Sequence, residues 1–388
     1  MSATTAVDNL AGRYHEALLD PSLPLVRAWK ERNPGRKAVG VFPVYSPVEI
    51  VHAAGMLPVG LLGAGNQLEI AHADARFQSF ICSIVKSTTE MALTGRLQVF
   101  DGLVYQGICD AARNLASVMA RNLPAMRVEY LHLVQNLASP AAEDYLVGEY
   151  HRFQSAMEEL SGQKVTDEAL RQSITVYNGV RAAVNNLNEL RAKSPHLISA
   201  LECYLLARLG ATLPPEDSVP LLEAALEEAR GRQARPKDRI RVVVQGSFCE
   251  VPPVELISSM EEAGCYILDD DLLLGWRCYE ADVPTEGDPL RSLARAYLRS
   301  VRFSSVRHGL DQPRSTELVG KVKRLRADAV VYLAAKFCEP ALLDYALFRQ
   351  ALERAGIPNL FLEFEEKMWL VDKPRNTIET FVESLLFT

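Results

Sequence analysis

Three cysteines stand where an apolar run gives way to the pattern of a helix. Cys109 follows "FDGLVYQGI", Cys338 follows "ADAVVYLAAKF", and Cys82 lies near the start of the helix predicted for "FQSFICSIVKSTTEMALTGR". A helix N-terminus favours a thiolate, because the helix dipole and the unpaired N–H groups stabilise negative charge. Thiolates are ligands of soft metal centres and iron–sulfur clusters. Three of them brought together would form a metal site.

Burial in the core is the alternative for each cysteine, because free cysteine is among the most frequently buried residue types. The seven cysteines include no CxxC pair, so their spacing leaves both interpretations open. Cys203 in "LECYLLARL", Cys265 at the start of a strand and Cys278 after "LLLGWR" are predicted to be packing residues. Cys249 in "GSFCEVPP" also ends a strand, and we keep it as a reserve ligand.

Two other motifs carry weaker signals. "GLLGAGN" is rich in glycine but lacks the Lys-Ser/Thr of a P-loop and the full dinucleotide fingerprint, so we predict a tight turn and no ATP site. The acidic run Asp269, Asp270 and Asp271 could ligate a hard cation. Such a run more often ends a strand and caps the next helix.

Histidines and glutamates at the predicted turns are candidates for proton transfer. His52 and His72 titrate in the useful range, although His52 lies on the apolar helix "VEIVHAAGM", where a partly buried packing role is more common. Glu49, Glu250 and Glu339 stand at strand-to-helix turns, where capping a helix and acting as an acid or base are both open.

Strands alternate with helices in two parts of the chain, and these elements must position the cysteines. "AVGVFPVYS" reads as a buried strand, and "SPVEIVHAAGM" as a helix with Ser46 as N-cap and Pro47 at its first position. Strands follow in "LPVGLL" and "FDGLVYQGI". Alternation of this kind predicts an α/β fold with parallel sheets, whose ligands bind beyond the carboxyl ends of the strands.

The same order returns after Ile240. "RVVVQGSFCEVPPVELISSMEEAGCYIL" aligns with "AVGVFPVYSPVEIVHAAGMLPVGLL", and its helix is predicted to be about one turn longer. The intervening residues lose the strand signal. "TDEALRQSITVYNGVRAAVNNLNELR" predicts an amphipathic helix with Thr166 as N-cap, and "SVPLLEAALEEARGR" a second capped helix. We therefore expect a helical lead (1–36), a first α/β domain (37–139), a helical segment (140–236) and a second α/β domain (237–388).

Composition limits the classes of function. The 388 residues carry a net charge of −7, which argues against non-specific nucleic-acid binding. No apolar run approaches the roughly 20 residues that cross a bilayer, and no secretory signal is visible. Seven scattered cysteines do not form a disulfide framework. These features predict a protein of the reducing cytoplasm without a membrane partner.

Four segments resemble the 2-hydroxyacyl-CoA dehydratase family, and most of all the iron–sulfur subunits (B- or C-type) of ATP-dependent benzoyl-CoA reductase. They are "PVYSPVEIVHAAGMLPVGLLGAG", "FICSIVKSTTEMALTGRLQVFDGLVYQGICDAARNL", "GSFCEVPPVELISSMEEAGCYILDDDLLLGWR" and "EFEEKMWLVDKPRNTIETFVESLLF". The similarity runs from about residue 37 to the C-terminus. It implies two flavodoxin-like domains plus helices, with a [4Fe–4S] cluster held in the interdomain cleft by three cysteines. Motif by motif, these are Cys82, Cys109 and Cys338.

The resemblance also implies an activity. Single electrons would reach benzoyl-CoA at very low potential and yield cyclohexa-1,5-diene-1-carboxyl-CoA, with a homologous iron–sulfur subunit as partner. A separate ATP-hydrolysing activator, itself fed by a ferredoxin-type donor, would supply the electrons. The catalytic proton donor stays unassigned. The alternatives are a subunit of a 2-hydroxyacyl-CoA dehydratase and a cluster-free scaffold or acyl-CoA-binding partner.

Overall fold

Two parallel four-stranded sheets organise the molecule. The computed structural model describes residues 9–43, 45–246, 250–272, 282–300, 314–365, 368 and 372–387. Each sheet is flanked by helices, and a group of helices lies between the two sheets in sequence. One cluster of buried apolar side chains includes residues of both sheets, among them Val39 and Val331. The predicted α/β class with two flavodoxin-like sheets is confirmed.

The first sheet has the strand order β2-β1-β3-β4. Its strands are β1 (Ala38–Val41), β2 (Leu57–Gly60), β3 (Gly102–Gln106) and β4 (Arg127–Leu131). The helices of this part are α1 (Leu10–Leu19), α2 (Pro24–Arg32), α3 (Val48–Ala53), α4 (Ser83–Leu93) and α5 (Asp110–Asn122). Every pairing is parallel, and the order is that of the first four strands of a flavodoxin-like sheet.

Two helix starts in this part differ from the prediction. Helix α3 has Pro47 rather than Ser46 as its N-cap, and the backbone carbonyl of Ser46 accepts from the N–H of Val48 at 2.9 Å. The Ser46 hydroxyl is buried and has no hydrogen-bond partner among the residues that the structure describes. Helix α4 begins only at Ser83, so the preceding "FQSFIC" is not helical.

Four helices fill the middle of the chain. They are α6 (Ala142–Ser161), α7 (Asp167–Lys193), α8 (Ala200–Gly210) and α9 (Pro215–Arg230). The predicted cap of α7 is confirmed, since the Thr166 side chain accepts from the N–H of Ala169 at 3.1 Å. The second helix predicted for this segment is confirmed, but α9 begins before "SVPLLEAAL", and its N-cap, Pro214, makes no side-chain cap hydrogen bond.

The second sheet repeats the first, with strand order β6-β5-β7-β8 and parallel pairing throughout. Its strands are β5 (Ile240–Gln245), β6 (Cys265–Asp269), β7 (Ala329–Ala335) and β8 (Asn359–Phe364). The helices are α10 (Val254–Glu262), α11 (Pro289–Ser300), α12 (Arg314–Leu325), α13 (Glu339–Arg354) and α14 (Asp372–Leu386). Helix α10 has 9 residues and α3 has 6, which confirms the extra turn predicted for the second copy.

Strands β3 and β7 occupy equivalent central places and are buried along their whole length. Each lies where the strand order reverses, beside β1 and β5 respectively, and ligands of open α/β sheets bind at this switch point beyond the carboxyl ends. Within the described ranges, no helix is both long enough and apolar enough to span a membrane.

Candidate metal centre

Each of the three predicted ligands is the N-cap of a helix. Cys82 caps α4, Cys109 caps α5 after strand β3, and Cys338 caps α13 after strand β7. The last two therefore lie at the switch points of the two sheets. Helix N-termini offer unpaired N–H groups and the positive end of the dipole, so all three sulfurs stand where a thiolate is stabilised.

The backbone N–H group three residues after each cysteine contributes to this stabilisation. Ala112 N donates to Cys109 Sγ at 3.5 Å. The N–H groups of Val85 and Ala341 occupy the same place relative to Cys82 and Cys338. Neither N–H group meets the geometric criteria for a hydrogen bond to its sulfur, but each acts to lower the pKa of the thiol beside it. One local arrangement thus recurs at three separate points of the chain.

The fold brings the three sulfurs within electrostatic reach of one another. Burial raises the pKa of Cys82 well above its usual value, and the charges of Glu250, Cys338 and Cys109 raise it further. Burial raises the pKa of Cys338 to about 12, with Cys109 and Glu250 adding to the shift. Cys82 and Cys338 are each 6% exposed, whereas Cys109 is only partly buried. Three thiolates within electrostatic reach repel one another unless a cationic group compensates them.

The donor set suits a cluster rather than a single ion. In the part of the chain that the structure describes, no three His, Cys, Asp or Glu side chains converge closely enough to hold one metal ion. The three sulfurs interact electrostatically all the same. Thiolates are soft donors of the type that binds iron–sulfur clusters, in which cysteine sulfurs bind separate irons.

A buried glutamate from the second sheet contacts the helix that Cys82 begins. Glu250 is 7% exposed and precedes α10, but its carboxylate accepts from the Ser83 hydroxyl and from Ile84 N, the latter at 3.0 Å. Capping a helix was one of the two roles left open for this residue. The helix it caps is α4, far away in sequence, and the sequence did not indicate this partner.

The other two glutamates at turns lie in different settings. Glu49 is fully buried and forms an ion pair with Arg181 of α7, so its interaction is with the helical segment. Glu339 is the first residue of α13 and is exposed to solvent, beside the Cys338 cap.

A cleft of about 350 Å³ opens beside Cys109 at the carboxyl ends of β3 and β4. Its lining includes the exposed cation Arg113, the aromatic residues Tyr130 and Tyr145, and His132. Sequence reasoning missed this cleft, although two signals were available. Arg113 lies one turn after Cys109 on the exposed face of α5, and His132 directly follows β4.

The acidic run 269–271 is not a cation site, because its members have separate partners. Asp269 pairs with Lys321 at 3.2 Å, and Asp270 pairs with Arg191 at 2.5 Å. The third carboxylate, of Asp271, accepts from the Gln245 side chain and from Gly246 N at 2.6 and 2.7 Å. The hard-cation alternative is therefore wrong, and the run joins β6 to its neighbours.

The candidate histidines have structural partners. His52 is partly buried, with Nδ1 3.0 Å from Ser173 Oγ and Nε2 3.2 Å from a carboxylate oxygen of Glu216, which agrees with a packing role. His72 is exposed, and its Nδ1 lies 2.7 Å from the carboxylate of buried Glu90.

The remaining predictions concern cysteines and the glycine-rich turn. Cys203 and Cys265 are 4% and 0% exposed, so their packing role is confirmed. Cys249 and Cys278 lie outside the described residues. "GLLGAGN" forms a turn in which Gly63 and Gly65 have positive φ, as predicted.

The family model for "2-hydroxyglutaryl-CoA dehydratase, D-component" matches residues 43–385. The chain belongs to this family. It is 36% identical to the C-type subunit of benzoyl-CoA reductase from Thauera aromatica over 94% of this chain and 95% of that protein. It is 30% identical to lactoyl-CoA dehydratase subunit beta of Anaerotignum propionicum and 28% identical to the (R)-phenyllactyl-CoA dehydratase beta subunit of Clostridium sporogenes. Both matches cover 90% of this chain and 92% of the relative.

These matches confirm the resemblance seen in the sequence motifs. Each of these relatives is an enzyme subunit by name, so this member of the family is an enzyme subunit of the same kind. The relatives differ in reaction, since one is a reductase and two are dehydratases.

Proposed function

We propose that the chain is the iron–sulfur subunit of a benzoyl-CoA reductase, with Cys82, Cys109 and Cys338 holding a [4Fe–4S] cluster. The observation that carries the proposal is that three N-cap cysteines, from both sheet units, lie within electrostatic reach of one another. Such a cluster, when bound, supplies one-electron transfer and keeps one iron without a protein thiolate. The 36% identity to a reductase subunit favours this branch of the family.

The chain's own residues would perform three tasks at this site. The helix N-termini stabilise the thiolates, and the low exposure of Cys82 and Cys338 excludes water from their side of the site. Exclusion of water matters because a strongly reducing centre must not lose its electron to solvent. The cleft beside Cys109 gives an acyl-CoA thioester a route to the less buried side, with Arg113 placed to attract its negative charge.

The proposal includes partners that the chain itself does not supply. The substrate would be benzoyl-CoA or a related acyl-CoA, reduced to the cyclohexadiene-carboxyl-CoA. A homologous iron–sulfur subunit would complete the enzyme, and an ATP-hydrolysing activator fed by a ferredoxin-type donor would deliver electrons. The glycine-rich turn of this chain lacks the phosphate-binding Lys-Ser/Thr, which fits ATP hydrolysis on another protein. The expected compartment is the cytoplasm.

Iron and sulfide analysis of the anaerobically purified protein, with EPR of the reduced form, tests the proposal. We expect about four irons per chain, the content of a cubane. Replacing Cys82, Cys109 or Cys338 by serine removes the cluster signal. Cys203→Ser is the matched control, since its sulfur is equally buried but packs in the helical segment. Full iron after any of the three substitutions removes that residue from the ligand set, and iron-free wild type favours the cluster-free scaffold.

A 2-hydroxyacyl-CoA dehydratase subunit is the second candidate, favoured by the relatives at 30% and 28% identity. The two candidates differ in product. The anaerobic enzyme with its partner and activator is offered benzoyl-CoA and, separately, a 2-hydroxyacyl-CoA. Formation of the dienoyl product supports the reductase, whereas release of water from the hydroxyacyl substrate supports the dehydratase.

A further inference from the structure

Glu250 is the buried acid at the cysteine site, and it comes from the opposite half of the molecule. It lies in the turn between β5 and α10, and its carboxylate contacts the first turn of α4 through Ser83 Oγ and Ile84 N. Its carboxylate therefore lies against the two residues that directly follow Cys82, one of the three proposed ligands.

Three further acids act on the sulfurs. Asp344 also acts on Cys338, but Arg314 lies 2.6 Å from its carboxylate and compensates the charge. Asp110 and Glu339 act on Cys109, but both are exposed, and water screens their charges. Glu250 is 7% exposed, so its charge acts through the protein interior, where the effective dielectric constant is low.

The hydrogen bonds of Glu250, like its charge, oppose reduction of a cluster held at this site. The N–H groups of the first turn of α4 are the donors available to Cys82 and to an anionic cluster held there. Glu250 takes the N–H of Ile84 at 3.0 Å, so this donor is not directed at a sulfur. The reduced cluster is the more negative form, so it is stabilised by hydrogen bonds to its sulfurs and by nearby positive charge. A carboxylate that removes a donor and adds negative charge therefore opposes reduction.

We infer that Glu250 sets the reduction potential of the centre, holding it at a more negative value than a neutral side chain in its place would give. The inference rests on the proposed function, because it needs the cluster at Cys82, Cys109 and Cys338. It assigns to Glu250 a tuning role, not ligation, and it gives a physical source for the strongly reducing behaviour that electron transfer to an aromatic ring demands.

The test compares midpoint potentials by EPR-monitored redox titration of the full chain, purified anaerobically, after iron analysis. Glu250→Gln keeps the shape and one acceptor oxygen but removes the charge, so we expect full iron and a less negative midpoint. Glu262→Gln is the matched control. It removes the same charge from the far end of α10, where Glu262 is 59% exposed and pairs with Arg375. Its midpoint should equal that of the wild type.

A second variant covers the case in which Glu250→Gln fails to bind iron. Ser83→Ala leaves the carboxylate in place but removes one hydrogen bond that disperses its charge, so the midpoint should become more negative. An iron-loaded Glu250→Gln protein with the wild-type midpoint overturns the inference while the proposed function stands. An iron-free Glu250→Gln together with an unshifted Ser83→Ala overturns it too, and leaves Glu250 as an anchor of α4. Wild-type protein without iron removes the proposed function itself.

Discussion

Arg191 and Asp270 form an ion pair in the interior, with 2.5 Å between Arg191 Nη2 and Asp270 Oδ2 and with side chains 1% and 7% exposed. Arg191 lies near the end of α7, and Asp270 directly follows β6. Nearer the start of the same helix, Arg181 pairs with the buried Glu49 of α3, beside the first sheet. Helix α7 is therefore tied to both sheet units, which carry Cys109 and Cys338, by buried charge pairs.

Removing one partner of the first of these pairs should destabilise the protein strongly. Arg191→Met removes the cation that lies 2.5 Å from the buried Asp270 carboxylate, which costs about 3–5 kcal/mol in the free energy of unfolding. Urea denaturation measures the loss. The double variant Arg191→Met/Asp270→Asn should recover part of it, because the side chain at position 270 is then neutral. Lys193→Ala, in an exposed pair on the same helix, is the control and should leave stability unchanged. Wild-type stability of Arg191→Met would contradict the role given to the pair.

Stability should also fall as the pH rises from about 4.5 to 7, through one glutamate of α10. Burial raises the pKa of Glu261 from 4.5 to about 7, although Ala200 N donates to its carboxylate at 2.8 Å. Between these values the folded state holds a proton that the unfolded state releases, so folding weakens by up to about 3 kcal/mol over the window. Unfolding free energies at several pH values measure the slope.

Glu261→Gln isolates this contribution, because it keeps an acceptor for Ala200 and cannot ionise. The free energy of unfolding of Glu261→Gln should not decline between pH 4.5 and 7. Glu262 is the neighbouring, exposed residue, and Glu262→Gln should keep the wild-type decline. The same slope in wild type and Glu261→Gln would show that another group controls the pH dependence.

Most helices and strands could be predicted because their signals lie within short stretches of the sequence. Cys109 and Cys338 could be assigned to strand ends since buried apolar runs and helix periodicity meet at those residues, and parallel strands share a carboxyl edge. The Thr166 cap and the longer α10 followed from spacing alone. These features need no knowledge of partners distant in sequence.

The features that could not be predicted are those that depend on tertiary contacts. Helix α4 is buried on all sides from Ser83 to Ala92, so its apolar period could not mark where it starts. Glu250 caps α4 instead of its own helix α10, a choice that depends on how the two halves pack. The cleft beside Cys109 combines residues of several elements, and no short stretch of sequence contains its outline.

Gly246 should not tolerate a side chain, because two constraints meet at this residue after β5. Its φ is +113°, and a Cβ atom would lie 2.5 Å from the backbone carbonyl oxygen of Leu333. We expect Gly246→Ala to lower the free energy of unfolding by at least about 1–3 kcal/mol. Gly320→Ala is the control, since Gly320 lies within α12 with open space around it, and alanine there should stabilise by about 0.5–1 kcal/mol. Thermal denaturation of both variants checks the contrast, and equal melting temperatures would refute it.

Arg113 should affect substrate affinity without affecting the metal centre, if acyl-CoA enters through the cleft beside Cys109. Arg113→Gln removes an exposed cation from the lining, so the KM of the assembled enzyme for the acyl-CoA should rise about 3- to 10-fold, while kcat and iron content stay unchanged. The effect should shrink at high salt, which screens exposed charges. Arg121→Gln, on the same helix but outside the cleft, is the matched control and should leave KM unaltered. Equal changes in KM for the two variants would mean that general attraction by basic residues, and not this cleft, draws the substrate to the protein.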